Sequence, residues 1–163
     1  MGICQTFLHL MLTQGNFKMH YSIREMTTDD YDEVRRLWEG TEGLQLDVSD
    51  SRNAIEIYLR RNPHLCFVAL HKNEIVGVIL CGHEGRRGIL RHLAVKKAHR
   101  GKGIARTLVG ASLSELAKEG ITKCNTFVLD ENVEARRFWD SMGWYVLEDN
   151  YRTLQILTAQ DQV

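Results

Sequence analysis

The stretch that most constrains this chain is Leu93-Ala94-Val95-Lys96-Lys97-Ala98-His99-Arg100-Gly101-Lys102-Gly103-Ile104-Ala105. A β-rich run ends, a basic glycine loop comes next, and a long helical periodicity begins. The start of a helix offers unpaired N–H groups and a partial positive charge. Glycines let the backbone approach a ligand closely. Lys96, Lys97, Arg100 and Lys102 add charge around it. The combination suits phosphate oxygens. Three anion-binding motifs compete for it. The P-loop string G-x-x-x-x-G-K-[ST] is absent from the chain. The dinucleotide fingerprint G-x-G-x-x-G finds Gly101 and Gly103, but Arg106 takes its third place, and the loop lies late in the chain. The pattern [QR]-x-x-G-x-[GA] is satisfied by Arg100, Gly103 and Ala105.

The flanking sequence sets the order of elements. Residues 19–24 read as an opening strand. Thr27-Thr28-Asp29-Asp30 supplies a side-chain cap and first-turn acids, and Tyr31, Val34, Leu37 and Trp38 come after it at helical spacing. Gly40 and Gly43 end that helix. A polar stretch over 45–50 leads into a second helix, with Ala54, Ile55, Tyr58 and Leu59 apolar and Pro63 as the stop. Residues 65–71 and 74–81 are β-rich and flank Lys72-Asn73, which reads as a hairpin. A strand is expected over 89–95 and a helix over about 104–119, with Ile104, Leu108, Val109, Leu113 and Leu116 inward and Gly120 as its stop. A strand at 122–130 comes next. A short helix is then capped by Asn132, carries the stripe Ala135, Phe138, Trp139 and Met142, and is ended by Gly143. Strands at about 145–147 and 151–157 close the pattern. The expected fold is α/β of the mixed α+β kind: a mixed sheet of about six or seven strands flanked by about four helices.

Composition removes several classes of function. A chain of 163 residues, 44% apolar and 26% charged, is one domain in size and globular in character. Lys+Arg and Asp+Glu both number 21, so the basic excess of a nucleic-acid binder is missing. No apolar run approaches the roughly 18 residues that span a bilayer. Cys4, Cys66, Cys81 and Cys124 are scattered, without C-x-x-C or metal-ligand spacing. They fit a reduced, cytoplasmic protein with inert thiols. No histidine pair shows H-x-x-x-H spacing, and no metal is expected. Residues 1–18 do not match the rest of the chain. Met1-Gly2 with Thr6 fits an acylation pattern, with Cys4 as a second site. The favoured reading is an extension ahead of a domain over 19–163 that opens at Met19.

With Arg100, Gly103 and Ala105 set behind a strand and ahead of a long helix, the sequence resembles the GNAT superfamily of N-acetyltransferases. Asn132-Val133-Glu134-Ala135-Arg136-Arg137-Phe138-Trp139, then Gly143-Trp144, is similar to a second family element, N-x-x-A-x-x-F-Y-x-x-x-G-F. The resemblance covers about residues 22–158. It implies an acetyl-CoA-dependent enzyme that transfers an acetyl group to an amine by direct attack on the thioester. It implies that the amides of Arg100, Gly101, Lys102, Gly103, Ile104 and Ala105 cradle the CoA pyrophosphate. Leu93 and Val95 would pair their backbone with the pantetheine arm, in a gap between the strands at 89–95 and 122–130, and one of their amides would face the thioester oxygen. Asn132 and Phe138 would flank the arm. The implied partners are acetyl-CoA and an amine acceptor, with assembly as a homodimer through sheet edges or late strands.

The chain departs from the family pattern at two places. Trp139 stands where an acidic tyrosine is frequent, and an indole N–H cannot protonate a thiolate. No carboxylate lies within 88–95, where some members carry a glutamate base. His92 is the candidate base, being the neutral-pH titratable group of that strand. A purely structural His92, with Glu84, Asp130 or a water chain as the base, is the alternative. Trp38 and Trp139 read as core residues, since each lies on a helical apolar stripe. Glu39, Glu42 and Asp47, in the loop between the first two helices, are candidates to attract a cationic acceptor, against a solvated acidic loop. Small amines, amino acids and protein amines all stay open as acceptors. A non-catalytic acyl-CoA-binding module is the competing function.

Overall fold

The computed structural model describes residues 21–147. In chain order they form β1 (Tyr21–Glu25), α1 (Tyr31–Glu39), α2 (Arg52–Arg61), β2 (Phe67–His71), β3 (Glu74–His83), β4 (Gly88–Val95), α3 (Ile104–Lys118), β5 (Cys124–Thr126) and α4 (Val133–Ser141). Short 3-10 turns occupy Thr28–Asp30, Val48–Asp50 and Lys97–His99.

Local chemistry accounts for the element ends. Asp30 Oδ2 accepts the Thr27 N–H at 2.8 Å, and the Arg24 guanidinium grips the same carboxylate at 2.6 and 2.7 Å. That closes the capping box ahead of α1. The α1 stripe Tyr31, Val34, Leu37 and Trp38 is buried as its spacing requires. Lys72 and Asn73 both take left-handed backbone, with φ of 50° and 68°, as a tight two-residue hairpin between β2 and β3 demands.

The sheet runs β1-β2-β3-β4-β5, antiparallel except for the parallel β4/β5 pair. Two cores pack on its two faces. One joins α3 and α4 to the sheet through Leu90, Val95, Leu108, Leu116 and Trp139. The other joins α1 and α2 through Val34, Trp38, Ile55, Val78 and Ala94. The mixed sheet with flanking helices is as expected, with five strands among the described residues. Tyr145, Val146 and Leu147 are exposed and carry no strand. The expected strand at 151–157 and the extension at 1–18 lie outside the described residues.

Two features of β4 place the site. It pairs with β5 only from Gly88–Cys124 to Leu90–Thr126, and the two strands then part. β5 is therefore much shorter than the expected strand over 122–130. Opposite β3, His92 and Leu93 together face Ile79, since Leu80 pairs Arg91 and Val78 pairs Ala94. This is a β-bulge, and it bends the strand away from regular pairing.

Candidate functional site

His92 sits in the bulge with φ +51°, a left-handed value that a residue with a side chain rarely adopts. The bulge turns its ring onto the α1 and α2 side of the sheet. There it meets Trp38 edge-on, at 5.0 Å between ring centroids. His92 Nε2 lies 2.8 Å from Asp50 Oδ1. The two atoms are close without forming a well-aligned hydrogen bond, so the carboxylate is poised to stabilise the ring once it is protonated. Burial holds the imidazole below its ordinary titration range; Asp50 pulls it up, Arg91 adds to the depression, and Asp47 opposes it. The ring is neutral at pH 7 and able to accept a proton.

Asp50 is fixed before it reaches His92. Its Oδ2 accepts the Asp47 N–H at 2.9 Å, and its backbone carbonyl accepts the Tyr31 hydroxyl at 2.8 Å. By sequence alone Asp50 belongs to a polar connector and is not a site candidate. The signal that could have singled it out is Asp47-x-x-Asp50, the spacing of a capping box, which the structure forms. Asp47 Oδ1 accepts the Ser49 N–H at 2.7 Å, and Glu39 pairs with Arg35 at 2.8 Å, so two of the three acids expected to attract an acceptor are engaged locally. Glu42 lines the cleft. Glu84 pairs with Arg86 at 3.5 Å and Asp130 is exposed, and neither lines it.

The cleft opens where β4 and β5 part. A cavity of about 190 Å³ is bounded by Leu90 to Leu93 on one side and by Thr126 to Leu129, Asn132 and Trp139 on the other. The loop after α1 roofs it: a Cβ on Gly43 would come 2.9 Å from Asn132 Nδ2. Asn132 Oδ1 accepts the Ala135 N–H at 3.0 Å, capping α4 as its sequence suggested. A second cavity, about 350 Å³, lies between α1 and the end of β4 and is lined by Arg36, Val95, Lys96, Lys97 and Arg100. Thr41 lines both, so the two adjoin.

The basic glycine loop takes the form its sequence required. Gly101 and Gly103 have φ of +73° and +81°, and nothing lies within 4 Å of where a Cβ would stand on either. The first α3 bond back along the chain runs from Thr107 N–H to Gly103 carbonyl, at 3.0 Å. The N–H groups ahead of it are the unpaired donors of a helix start. Arg100 Nε donates to the Val95 carbonyl at 3.1 Å and Lys102 Nζ to the Ala98 carbonyl at 3.0 Å, which ties the loop to the strand end. Ile104 is buried and packs toward Gly77, anchoring α3, while Ala105 is half-buried in the same core.

Trp139 is buried, 4.7 Å from Trp144 and 5.0 Å from Phe138 between ring centroids, so it forms a wall of the cleft. Phe138 packs half-buried on the α3 and α4 core. The thiols are poor nucleophiles: burial pushes Cys66 up to about 12 and Cys124 up to about 11. Among the described residues no group of three His, Cys, Asp or Glu side chains is placed to hold a metal. No helix among them is long and apolar enough to cross a membrane.

A mixed sheet whose parallel pair parts beside a glycine-rich helix start is the layout that the sequence resemblance implied. The profile of the Acetyltransferase (GNAT) family matches residues 22–144, and the chain belongs to that family. It is therefore an acyltransferase. It is 32% identical over 140 residues to a protein named acetyltransferase from Sodalis glossinidius (strain morsitans), covering 86% of this chain and 97% of that one. Its fold resembles Ard1 from Thermoplasma volcanium, with a TM-score of 0.71, 22% identity and coverage of 79% of this chain and 85% of the other. It also resembles the PaiA N-acetyltransferase from Thermoplasma acidophilum, solved in complex with coenzyme A, with a TM-score of 0.69, 19% identity and coverage of 80% and 92%.

Proposed function

We propose that this chain transfers the acetyl group of acetyl-CoA to a primary amine by direct attack on the thioester. The observation that carries the reading is the second half of β4, unpaired on its β5 side, running into an open glycine loop at the start of α3. The donor set fits the nucleotide. The amides of Gly101, Lys102, Gly103, Ile104 and Ala105 would hold its diphosphate, with Lys97 and Arg100 adding charge. The Arg100 N–H expected to join them is instead given to the Lys97 carbonyl at 3.3 Å, closing the turn before the loop, and Lys96 is paired with Glu74. Leu93 and Val95 would offer backbone groups to the pantetheine arm, and Asn132 would flank it; Phe138, expected beside it, packs on the α3 and α4 core behind the cleft wall. Bound acetyl-CoA supplies the activated acyl carbon. His92 takes the proton of the attacking amine, and Asp50 stabilises the imidazolium that results. The new carbon–nitrogen bond replaces the carbon–sulfur bond, and the sulfur leaves with the electron pair. Trp139 supplies shape to this site and not acidity.

That last feature also favours a second reading, an acyl-CoA-binding module without turnover. Two measurements decide. Acetyl-CoA at a hundred times its dissociation constant stabilises a protein by about 2.7 kcal/mol, roughly a 5–10 °C rise in melting midpoint at this size. ATP and NAD give no such rise. Free thiol then appears when an amine is added. No rise with acetyl-CoA overturns both readings, and a rise without thiol release over a broad amine panel leaves the binding module.

A further inference from the structure

The bulge does more than place His92. In a regular strand Arg91 and His92 would project to opposite faces. With His92 and Leu93 together opposite Ile79, the alternation slips by one. Leu90, Leu93 and Val95 all pack toward the α3 and α4 core, while Ala94 joins the other. His92 meets Trp38 and Asp50 on the α1 and α2 side. Arg91, on the side opposite Leu90, faces the same way as His92.

The Arg91 guanidinium is held in place by a ring. Its carbon lies 4.6 Å from the centroid of Phe127, the first residue past the last β4/β5 pair. Stacking of this kind fixes the planar fork while leaving its N–H donors free. Among the described residues no carboxylate pairs with Arg91. Phe127 is 62% exposed, so the guanidinium stacked on it stands at the open mouth of the cleft. Both residues line the 190 Å³ cavity together with His92 and Glu42. Glu42 and Arg91 bring that lining one full charge of each sign.

We infer that Arg91 reads a carboxylate on the acceptor, so that the acceptor is a small amino acid and not a plain amine. The inference rests on the transferase reading above. An ammonium group drawn toward Glu42 and a carboxylate held by the Arg91 fork set a zwitterion across the cleft, with its nitrogen beside His92. A guanidinium accepts a carboxylate through two parallel hydrogen bonds, which also fixes orientation. The roof made by Gly43 against Asn132 keeps the occupant small.

The test uses matched pairs of acceptors that differ only by the carboxylate, such as lysine with cadaverine and ornithine with putrescine. Thiol release is measured at saturating acetyl-CoA, and acceptor binding by calorimetry in the presence of CoA. The wild-type protein turns over the carboxylate member with at least about tenfold higher kcat/KM. In Arg91→Gln the preference collapses through a rise in KM for the carboxylate member, and Arg91→Lys restores part of it. Equal use of both members by the wild type, or an unchanged preference in Arg91→Gln, overturns the inference while leaving the transferase reading intact. Arg91-dependent binding of amino acids without thiol release overturns the transferase reading and keeps Arg91 as the carboxylate reader. Turnover confined to amines of a peptide or protein overturns the small-acceptor assignment.

Discussion

Gly88, Ile89 and Leu90 are paired into the sheet on both sides, to β3 and to β5, whereas Arg91 to Val95 keep only β3. The packing changes at the same point. A Cβ on Gly88 would come 2.5 Å from Leu116 Cδ1 and 3.1 Å from Cys124 Sγ, so glycine is there because the core is closed. Gly101 and Gly103, just beyond the other end of the strand, have open space where a Cβ would stand. They are glycine because the backbone turns left-handed. One strand thus has a half that holds the molecule together and a half that leaves backbone groups unspent. The bulge at His92 falls at the change. Stability and ligand binding are expected to separate along it.

The largest effect is expected in the closed half. Gly88→Val inserts a branched side chain against fully buried Leu116 and costs about 3 kcal/mol, roughly 6–12 °C in melting midpoint for this size. Calorimetry should find acetyl-CoA affinity preserved in the folded variant. A midpoint that stays put would show that the closed half is not closed. His92→Ala ranks second, in the open half, with kcat lowered roughly 100-fold, about 2.7 kcal/mol of barrier, while acetyl-CoA still raises the melting midpoint. Retention of kcat in this variant would return His92 to a structural role.

Gly103→Ala is the milder counterpart of the Gly88 change. No atom blocks the new methyl, so the cost is the left-handed backbone alone, about 1 kcal/mol. Acetyl-CoA binding weakens about tenfold as the loop relaxes away from its cradle geometry, read by calorimetry. Equal effects of the two glycine changes on affinity would erase the distinction between the halves.

The smallest effect is a shift with pH. The His92 imidazole is held below its ordinary value of 6.5 in the native state. The native protein therefore binds fewer protons than the unfolded chain between that depressed value and 6.5. The His92 contribution to stability is present above 6.5 and is lost as pH falls through this window. The acid limb of kcat/KM falls below pH 6.5 for the same reason. Asp50 is what draws the imidazole up, so Asp50→Asn moves the acid limb further toward acid. A limb that stays in place in Asp50→Asn would remove Asp50 from the site.

Much of this was legible in the residues because it is local. The Thr27 to Asp30 cap, the α1 stripe, the Lys72-Asn73 hairpin and the strand-loop-helix run through Gly101 and Gly103 each depend on neighbours within a turn or two. The family can be read from two such runs, around Arg100 and around Asn132. The acidic loop was harder to read. Glu39, Glu42 and Asp47 look alike in sequence, yet two are engaged locally and one lines the cleft. Which acid meets an ion pair or a cap depends on the helix ends around it.

The sequence determined the helices, the first four strands, their order and the left-handed glycine loop ahead of α3, since backbone propensity, capping and glycine conformations are settled within a few bonds. Only the tertiary structure decided what stands beside His92. The bulge sets two residues of β4 against one of β3, just past the last β4/β5 pair at Leu90 and Thr126. That register turns Arg91 and His92 to one face and brings Asp50, 42 positions earlier in the chain, to 2.8 Å from the imidazole. A strand read alone gives a strict alternation of faces, and nothing in its own residues records where a partner strand will break it.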